Sequence, residues 1–437
     1  MTEVTFSDLG LAEPIQRALN ARNHITPTPI QAQAIPKLLK GRDMLGIAQT
    51  GTGKTAAFAL PILNRLAHNP PPKHGRRQIR TLILAPTREL AIQIGEEFQA
   101  YAQNLRVFQA VIFGGVSQKP QVDKLQRGVD IVVATPGRLL DLMNQRHVDL
   151  QAVETLVLDE ADRMLDMGFV RDVRKIIAKM PAKRQSLLFS ATMPADIASL
   201  SKEILIDPVR VEVAPPSTPL ERVSQIVHHV LSNDKRKLLA DILSDASFSK
   251  VIVFTRTKHR ANKVAEYLVK AGIGAEAIHG NKSQGARQRA LSAFKDGRVR
   301  VLVATDIAAR GIDVDAISHV VNFELPNEAE SYVHRIGRTA RAGAGGAAVA
   351  FCDPTERVYL RDIERLIGMR LTVIGEAPTG EIIEAPKRGG RGGGGRNGGQ
   401  SRPHNQDRPG DKPRRPRRRR GKSAHRGGGG QNQSRAA

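Results

Sequence analysis

A run of small and polar residues, Gln49-Thr50-Gly51-Thr52-Gly53-Lys54-Thr55, sits between an apolar stretch at 45–48 and a helix-forming segment. Its glycines allow consecutive backbone N–H groups to curl around phosphate oxygens, and the following helix turns the positive end of its dipole toward them. Thr50, Gly51, Thr52 and Gly53 would line such a cradle. Lys54 would reach the outer phosphates of a nucleoside triphosphate, and the Thr55 hydroxyl would ligate Mg2+. The general form of this loop opens with glycine, where this chain has Ala48. The competing reading is a chance glycine-rich turn, but such a turn needs neither a strand before it nor a helix after it. Farther along, Asp159-Glu160 closes the apolar run 155–158. Carboxylates at the C-terminal end of a parallel strand face the place where such sheets bind ligands. Asp159 would hold Mg2+ through its water shell, and Glu160 would polarise a water for attack on phosphorus. An Asp-Glu pair alone is usually a solvated turn; a phosphate loop upstream makes it the other half of a triphosphate-hydrolysing site.

The elements that must position these groups read as α/β. Short apolar, β-branched runs at 81–85, 107–113, 129–135, 155–158 and 186–189 alternate with helical stretches, the pattern of a parallel sheet flanked by helices. The pattern resumes at 251–255, 275–279, 299–304 and 319–323. Between the two blocks lies Ala214-Pro215-Pro216-Ser217-Thr218-Pro219, which can continue neither helix nor central strand. Residues 1–213 and 221–375 are therefore expected to form two parallel-sheet domains joined by a short linker at 214–220. They share architecture rather than sequence identity. From Lys387 onward the chain contains no Phe, Tyr, Trp, Leu, Ile or Val. Such a segment cannot bury enough apolar area to offset its ordering entropy, so 376–437 is expected to be a disordered basic tail.

Charge narrows the partners. The chain carries 67 Lys+Arg against 43 Asp+Glu, a net +24, and +14 of that lies in the last 51 residues. A polyanion, most often nucleic acid, suits this balance; solubility alone is the bland alternative. One cysteine, Cys352, permits no internal disulfide and no thiolate metal cluster, and it fits a reducing compartment. The start, MTEVTFSDLG, has no signal-peptide character, and no apolar run reaches the roughly 18 residues needed to span a bilayer. The expectation is a soluble cytoplasmic protein with no membrane partner.

Two turns repeat one design. Ala85-Pro86-Thr87-Arg88 and Ala134-Thr135-Pro136-Gly137-Arg138 each follow an apolar run and open a helix, where proline is tolerated and backbone N–H groups are free. Gly114-Gly115 permits close backbone approach. These are natural phosphate-backbone sites, although any one alone reads as an ordinary strand-to-helix turn. With no Trp, four Tyr and 12 Phe, there is no interleaved basic-aromatic pattern for stacking bases, so sequence-independent binding is expected. Ser190 and Thr192 follow another strand end and could be a helix cap. Arg335, Arg338 and Arg341 lie within seven residues, as either a basic surface helix or a charge clamp.

The assembled set resembles the DEAD-box RNA helicases, most closely the bacterial RhlE-like branch, over about residues 5–370. It comprises Pro27-Thr28-Pro29-Ile30-Gln31, Ala48 to Thr55 including the alanine, Pro86 to Ala91, Gly114-Gly115, Thr135 to Arg138, Asp159-Glu160-Ala161-Asp162, Ser190-Ala191-Thr192, Val253 to Thr257, Gln284 with Arg287, Ala304 to Asp313, and His334 to Arg341. The resemblance implies two RecA-like domains and ATP, with Mg2+, as the nucleotide. It implies that Gln31 reads the adenine edge and Asp313 contacts the ribose. Lys54, Glu160, His334 and the arginine fingers Arg338 and Arg341 would form the catalytic centre. Asp162, Ser190 and Thr192 would couple closure to strand separation, and Arg256, Gln284, Arg287, Thr305 and Arg310 would extend the RNA track onto the second domain. Two positions depart from the family: Asn23-His24 replaces the usual Gly and aromatic, and Ala340 replaces a frequent Gly, a methyl group expected to matter little. The implied activity is RNA-stimulated ATP hydrolysis that melts short duplexes locally. An ATP-gated RNA clamp or scaffold uses the same motifs, and a DNA-directed helicase shares the two-domain logic. Ribosomal or RNA-decay assemblies are the partners such families serve, and the oligomeric state stays open.

Overall fold

A computed structural model describes residues 4–49, 51–71, 76–213, 223–309, 314, 316–340 and 346–375. The expected linker and tail lie outside the described residues, as do Thr50, Arg310, Asp313 and Arg341.

The first sheet contains β1 (Met44–Ile47), β2 (Thr81–Leu84), β3 (Gln109–Ile112), β4 (Ile131–Ala134), β5 (Thr155–Leu158), β6 (Gln185–Ser190) and β7 (Val209–Glu212). The second contains β8 (Val223–His229), β9 (Val251–Thr255), β10 (Ala275–Ile278), β11 (Val301–Thr305), β12 (His319–Asn322), β13 (Gly346–Cys352) and β14 (Thr372–Ile374). Every pairing in both sheets is parallel. The spatial orders are β3-β4-β2-β5-β6-β1-β7 and β10-β11-β9-β12-β13-β8-β14. Renumbered from its own first strand, the second order is identical to the first. The shared architecture expected from the sequence is thus a shared topology.

Continuous apolar runs become central strands because helices cover both faces. β2, β4 and β5 are buried at every residue, and the β1, β2, β5 and β6 side chains feed two hydrophobic layers on opposite faces. β7, β8 and β14 carry no such run, β13 is apolar but poor in β-branched residues, and the sequence reading did not find these four. β7 is an alternating edge strand, Val-Arg-Val-Glu, and β13 is built largely from glycine and alanine. Both sheets belong to one compact unit spanning Met1–Ala385.

Candidate functional site

Strand order sorts the candidate residues into two groups along one sheet edge. β1, β6 and β5 are neighbours, and their C-terminal ends lead into the glycine-rich loop, Ser190-Ala191-Thr192 and Asp159-Glu160-Ala161-Asp162. β2, β4 and β3 are neighbours farther along, leading into Pro86-Thr87-Arg88, Thr135-Pro136-Gly137-Arg138 and Gly114-Gly115. One edge therefore carries the residues expected to hydrolyse phosphate in one half and those expected to bind a nucleic-acid backbone in the other.

In the phosphate loop, Gly53 takes the left-handed conformation (φ 91°) as the cap of the helix Lys54–His68. Only glycine fits here, because a Cβ would collide with the Gln31 amide and come within 2.9 Å of Thr28 Oγ1. Lys54 opens that helix, is 6% exposed, and donates from Nζ to the Ala48 carbonyl at 2.8 Å. Gln31 Nε2 donates to the Gly53 carbonyl at 3.1 Å, while its Oε1 accepts from Thr28 N at 2.8 Å. Thr28 Oγ1 donates to the Thr52 carbonyl at 2.8 Å. The segment expected to read adenine is thereby tied to the loop expected to hold phosphate. Beside it lies a recess of about 380 Å³ whose walls include Phe6, Asn23, His24 and Gln31. Asn23 sits at φ 55°, which explains the glycine usual there; Asn tolerates this region better than most residues. The smaller His24 ring lines the recess, 6.2 Å from Tyr101, and burial, then Arg22, lowers its pKa and favours the neutral ring. A larger hollow of about 790 Å³ runs beside β3 over an apolar floor including Phe98 and Val111; it lies outside the carboxylate cluster.

At the carboxylates, Asp159 is 2% exposed. Burial pushes its pKa up to about 6, against the opposing charge of Lys54, with Glu160 and Asp162 adding to the rise. Such a desolvated carboxylate beside a phosphate cradle suits a cation. Glu160 donates its N–H to Asp159 Oδ1 at 3.0 Å and holds φ 53°, ψ 54°. That backbone costs a non-glycine residue about 1–2 kcal/mol, strain of the kind kept at functional sites. Asp162 Oδ2 accepts from Ala191 N (3.1 Å), Thr192 N (2.9 Å) and Thr192 Oγ1 (3.0 Å). Ser190 Oγ accepts from Asp162 N at 3.3 Å and donates to the Thr192 carbonyl at 2.7 Å. The following helix, Ala195–Ile204, is capped at Pro194. Ser190 and Thr192 therefore serve Asp162, and the helix-cap alternative falls.

Among the residues expected to bind a backbone, Thr87 caps the helix Arg88–Tyr101 by accepting from Leu90 N at 3.2 Å. Pro136 opens the helix Pro136–Asn144 as expected, whereas Pro86 precedes its cap and lies outside the first turn. Gly115 has φ 78°, and the Arg88 guanidinium fills the space where a Cβ would stand. Arg138 Nη1 and Nη2 reach the Val116 carbonyl at 3.3 and 3.2 Å. Two guanidinium groups thus flank the Gly114-Gly115 turn.

The second sheet meets this group directly. Arg287 Nη2 pairs with Glu89 Oε1 at 3.0 Å, and Gln284 Nε2 donates to the same oxygen at 3.1 Å. Arg88 Nη1 lies a long 3.5 Å from Gln284 Oε1. Gln284 and Arg287 are buried against Glu89, beside the turns that were expected to share an RNA track with them. Arg256 is also held within the chain: its guanidinium donates to Glu356 at 2.8 Å and Asn327 at 3.2 Å, and Glu356, fully buried, is shared with Lys235. Thr305 ends β11 opposite Thr255. Arg335 donates to both oxygens of Asp306, at 2.5 and 2.7 Å, and to Asn322 and the Glu324 carbonyl. It ties the chain after β11 to the helix Ala329–Ile336, which carries exposed His334. Arg338 is 5% exposed, with Nε 3.4 Å from the His334 carbonyl. Ala340 holds φ 54°, so its methyl group matters more than the sequence reading allowed.

Comparison with known proteins settles the family. The DEAD/DEAH box helicase family matches residues 28–200, and the helicase conserved C-terminal domain matches residues 234–343. The DEAD-box ATP-dependent RNA helicase CshA of Bacillus subtilis (strain 168) is 42% identical over 381 residues, covering 87% of this chain and 76% of that relative. The RNA helicase CrhR of Synechocystis is 45% identical over 88% of this chain and 76% of its own length. The chain belongs to the DEAD-box ATP-dependent RNA helicases. Among solved structures, S. cerevisiae Dbp5 bound to RNA and ADP BeF3 matches this DEAD-box chain at TM-score 0.74 and 31% identity, over 85% of this chain and 95% of that one. Mss116p bound to ssRNA and AMP-PNP matches at TM-score 0.76 and 28% identity, over 86% and 80% respectively.

Within this DEAD-box helicase, sequence reasoning left four residues unassigned. Phe6 walls the recess beside Gln31 and donates its N–H to the Ile25 carbonyl at 3.0 Å. Glu89 bridges the two sheets, Arg163 pairs with Glu160, and Arg335 ties the helix Ala329–Ile336 to Asp306. Glu89 and Arg335 stood inside quoted motifs, but only their partners reveal their use. No helix among the described residues is long and apolar enough to cross a membrane.

Proposed function

We propose that this DEAD-box enzyme hydrolyses ATP at a site divided between residues 1–213 and 221–375, and uses closure of the two to melt short RNA duplexes without sequence preference. The observation that carries it is the Glu89–Arg287–Gln284 cluster, which joins backbone-binding turns of one sheet to a helix of the other. Where that cluster forms, the groups of both sheets act together.

Gln31 and the recess beside it would take the adenine, Asp313 the ribose, and the 50–54 loop the phosphates. Mg2+ fits the donors present: a buried carboxylate at Asp159 and a hydroxyl at Thr55 supply two oxygens, enough for an ion that keeps phosphate oxygens and waters as its other ligands. Bound there, it would neutralise charge on the phosphates. Glu160 takes a proton from the attacking water as the bond to the γ-phosphorus forms and ADP leaves. Arg338 and Arg341 would stabilise charge on the equatorial oxygens, an effect worth on the order of 10³–10⁵ in rate. The Asp162–Thr192 bonds would carry the change to the RNA side. One duplex step is worth roughly 1.4 kcal/mol, so a single closure suits a few base pairs rather than a long duplex. A cytoplasmic setting, the 376–437 tail as a non-specific RNA-binding arm, and service in ribosomal or RNA-decay assemblies belong to the same reading.

A strand-displacement assay with short and long RNA and DNA duplexes, with and without ATP, tests it. ATP-dependent release of short RNA strands is expected, with turnover abolished in Glu160→Gln. RNA binding without release would turn the reading into a clamp, and equal activity on DNA would remove the RNA preference.

A further inference from the structure

Glu160 is nearly buried, holds left-handed backbone, and sits between two other buried carboxylates, Asp159 and Asp162. A glutamate side chain turns about three bonds, so fixing its backbone does not fix its carboxylate. Arg163 supplies a second anchor. Its Nη1 lies 2.7 Å from Glu160 Oε2, with the two side chains 13% and 4% exposed. Arg163 stands in the first turn of the short helix Ala161–Asp166, and its own N–H donates to Asp162 Oδ1 at 3.0 Å. Both ends of this arginine are therefore engaged by the carboxylate cluster. A charge-assisted bond in a site sheltered from water orients more firmly than a surface pair.

We propose that Arg163 is a positioning residue for ATP hydrolysis: by holding Glu160 Oε2 it fixes the orientation of the carboxylate that takes the proton of the attacking water. It touches neither nucleotide nor water and acts through Glu160. The inference rests on Glu160 being the base, as proposed above. Because misplacement of a reacting group by an ångström can lower a rate about 10²-fold, removal of this anchor reads out in kcat rather than in binding.

The test uses the full chain with saturating single-stranded RNA and Mg-ATP, comparing Arg163→Gln, Arg163→Met and Arg163→Lys with the unaltered protein. Expected is a kcat at least about 10-fold lower for Gln and Met, with KM for ATP, RNA affinity and melting temperature unchanged, and partial recovery of kcat by Lys. Unchanged kcat in the Gln and Met variants overturns the proposal. So does a loss of melting temperature or of nucleotide and RNA binding that matches the loss of kcat, or a Lys variant no better than Met. Glu160→Gln runs alongside: if it still turns over, the base assignment fails, whereas a dead Glu160→Gln with a normal Arg163→Gln fails only this inference.

Discussion

Glu160 and Ala340 both hold left-handed backbone, for different reasons. At Glu160 the conformation aims a carboxylate into a cluster that Asp159, Asp162 and Arg163 define, so the strain belongs to the site. At Ala340 no polar side chain benefits, and the methyl group simply opposes the turn that leads toward Arg341. Glycine there relieves about 1–2 kcal/mol of steric cost but loosens the unfolded chain by up to about 1 kcal/mol. Ala340→Gly should therefore stabilise the protein by roughly 0.5–1 kcal/mol, seen as a raised denaturant midpoint at unchanged slope. A lowered midpoint would show that the turn gains more from alanine's stiffness than it loses in strain.

At the scale of elements, the device that matters is one carboxylate shared between sheets. Glu89 Oε1 receives both Arg287 and Gln284 from the helix that follows β10, while its neighbour Arg88 packs on Gly115. Side chains that touch so directly do not act additively. In a cycle of Glu89→Gln, Arg287→Gln and the double variant, RNA-stimulated ATPase should show a coupling of about 1 kcal/mol or more, while the single changes leave RNA-free turnover near its starting value. Additive effects would mean that the Glu89–Arg287 pair does not contribute to the active, RNA-bound arrangement.

The whole molecule responds to pH through its histidines. His24, His228, His229, His279 and His319 are each lowered from the ordinary 6.5, with burial as the first cause. As pH falls through 6.5 the unfolded chain takes up these protons before the folded one does, so the stability they contribute is present above 6.5 and lost below it. Asp159 and Glu356, raised by burial, act in the opposite direction but are fewer. Melting temperature of the nucleotide-free protein should be level above about pH 7.5 and fall toward pH 5.5; a rise on acidification would show that the carboxylates dominate. Charge at the C-terminus makes a second whole-chain prediction. Deleting 387–437 removes 16 Lys+Arg against 2 Asp. RNA binding should weaken and become less sensitive to salt, the log–log slope flattening by about 0.7 for each phosphate the tail had neutralised, while RNA-free ATPase persists. An unchanged slope would make the tail an inert solubiliser.

The residues expected to do chemistry were legible in the sequence by itself. The loop ending in Lys54 and the Asp159-Glu160 pair stood out because phosphate and metal each demand particular residue types at a strand end or helix start, whereas the arginines after His334 read as a charge clamp only through the family resemblance. The sequence also determined the α/β class, since strands buried on both faces must be apolar throughout. It did not determine strand order, which depends on pairings between segments far apart in the chain. Only the tertiary structure set β1, β6 and β5 side by side and placed β3, β4 and β2 along the same edge. Nor could spacing distinguish a guanidinium offered to a ligand from one already held. Arg256 and Arg335 read like their neighbours until Glu356 and Asp306 were found beside them, because the partner that neutralises a charge lies anywhere the fold brings it.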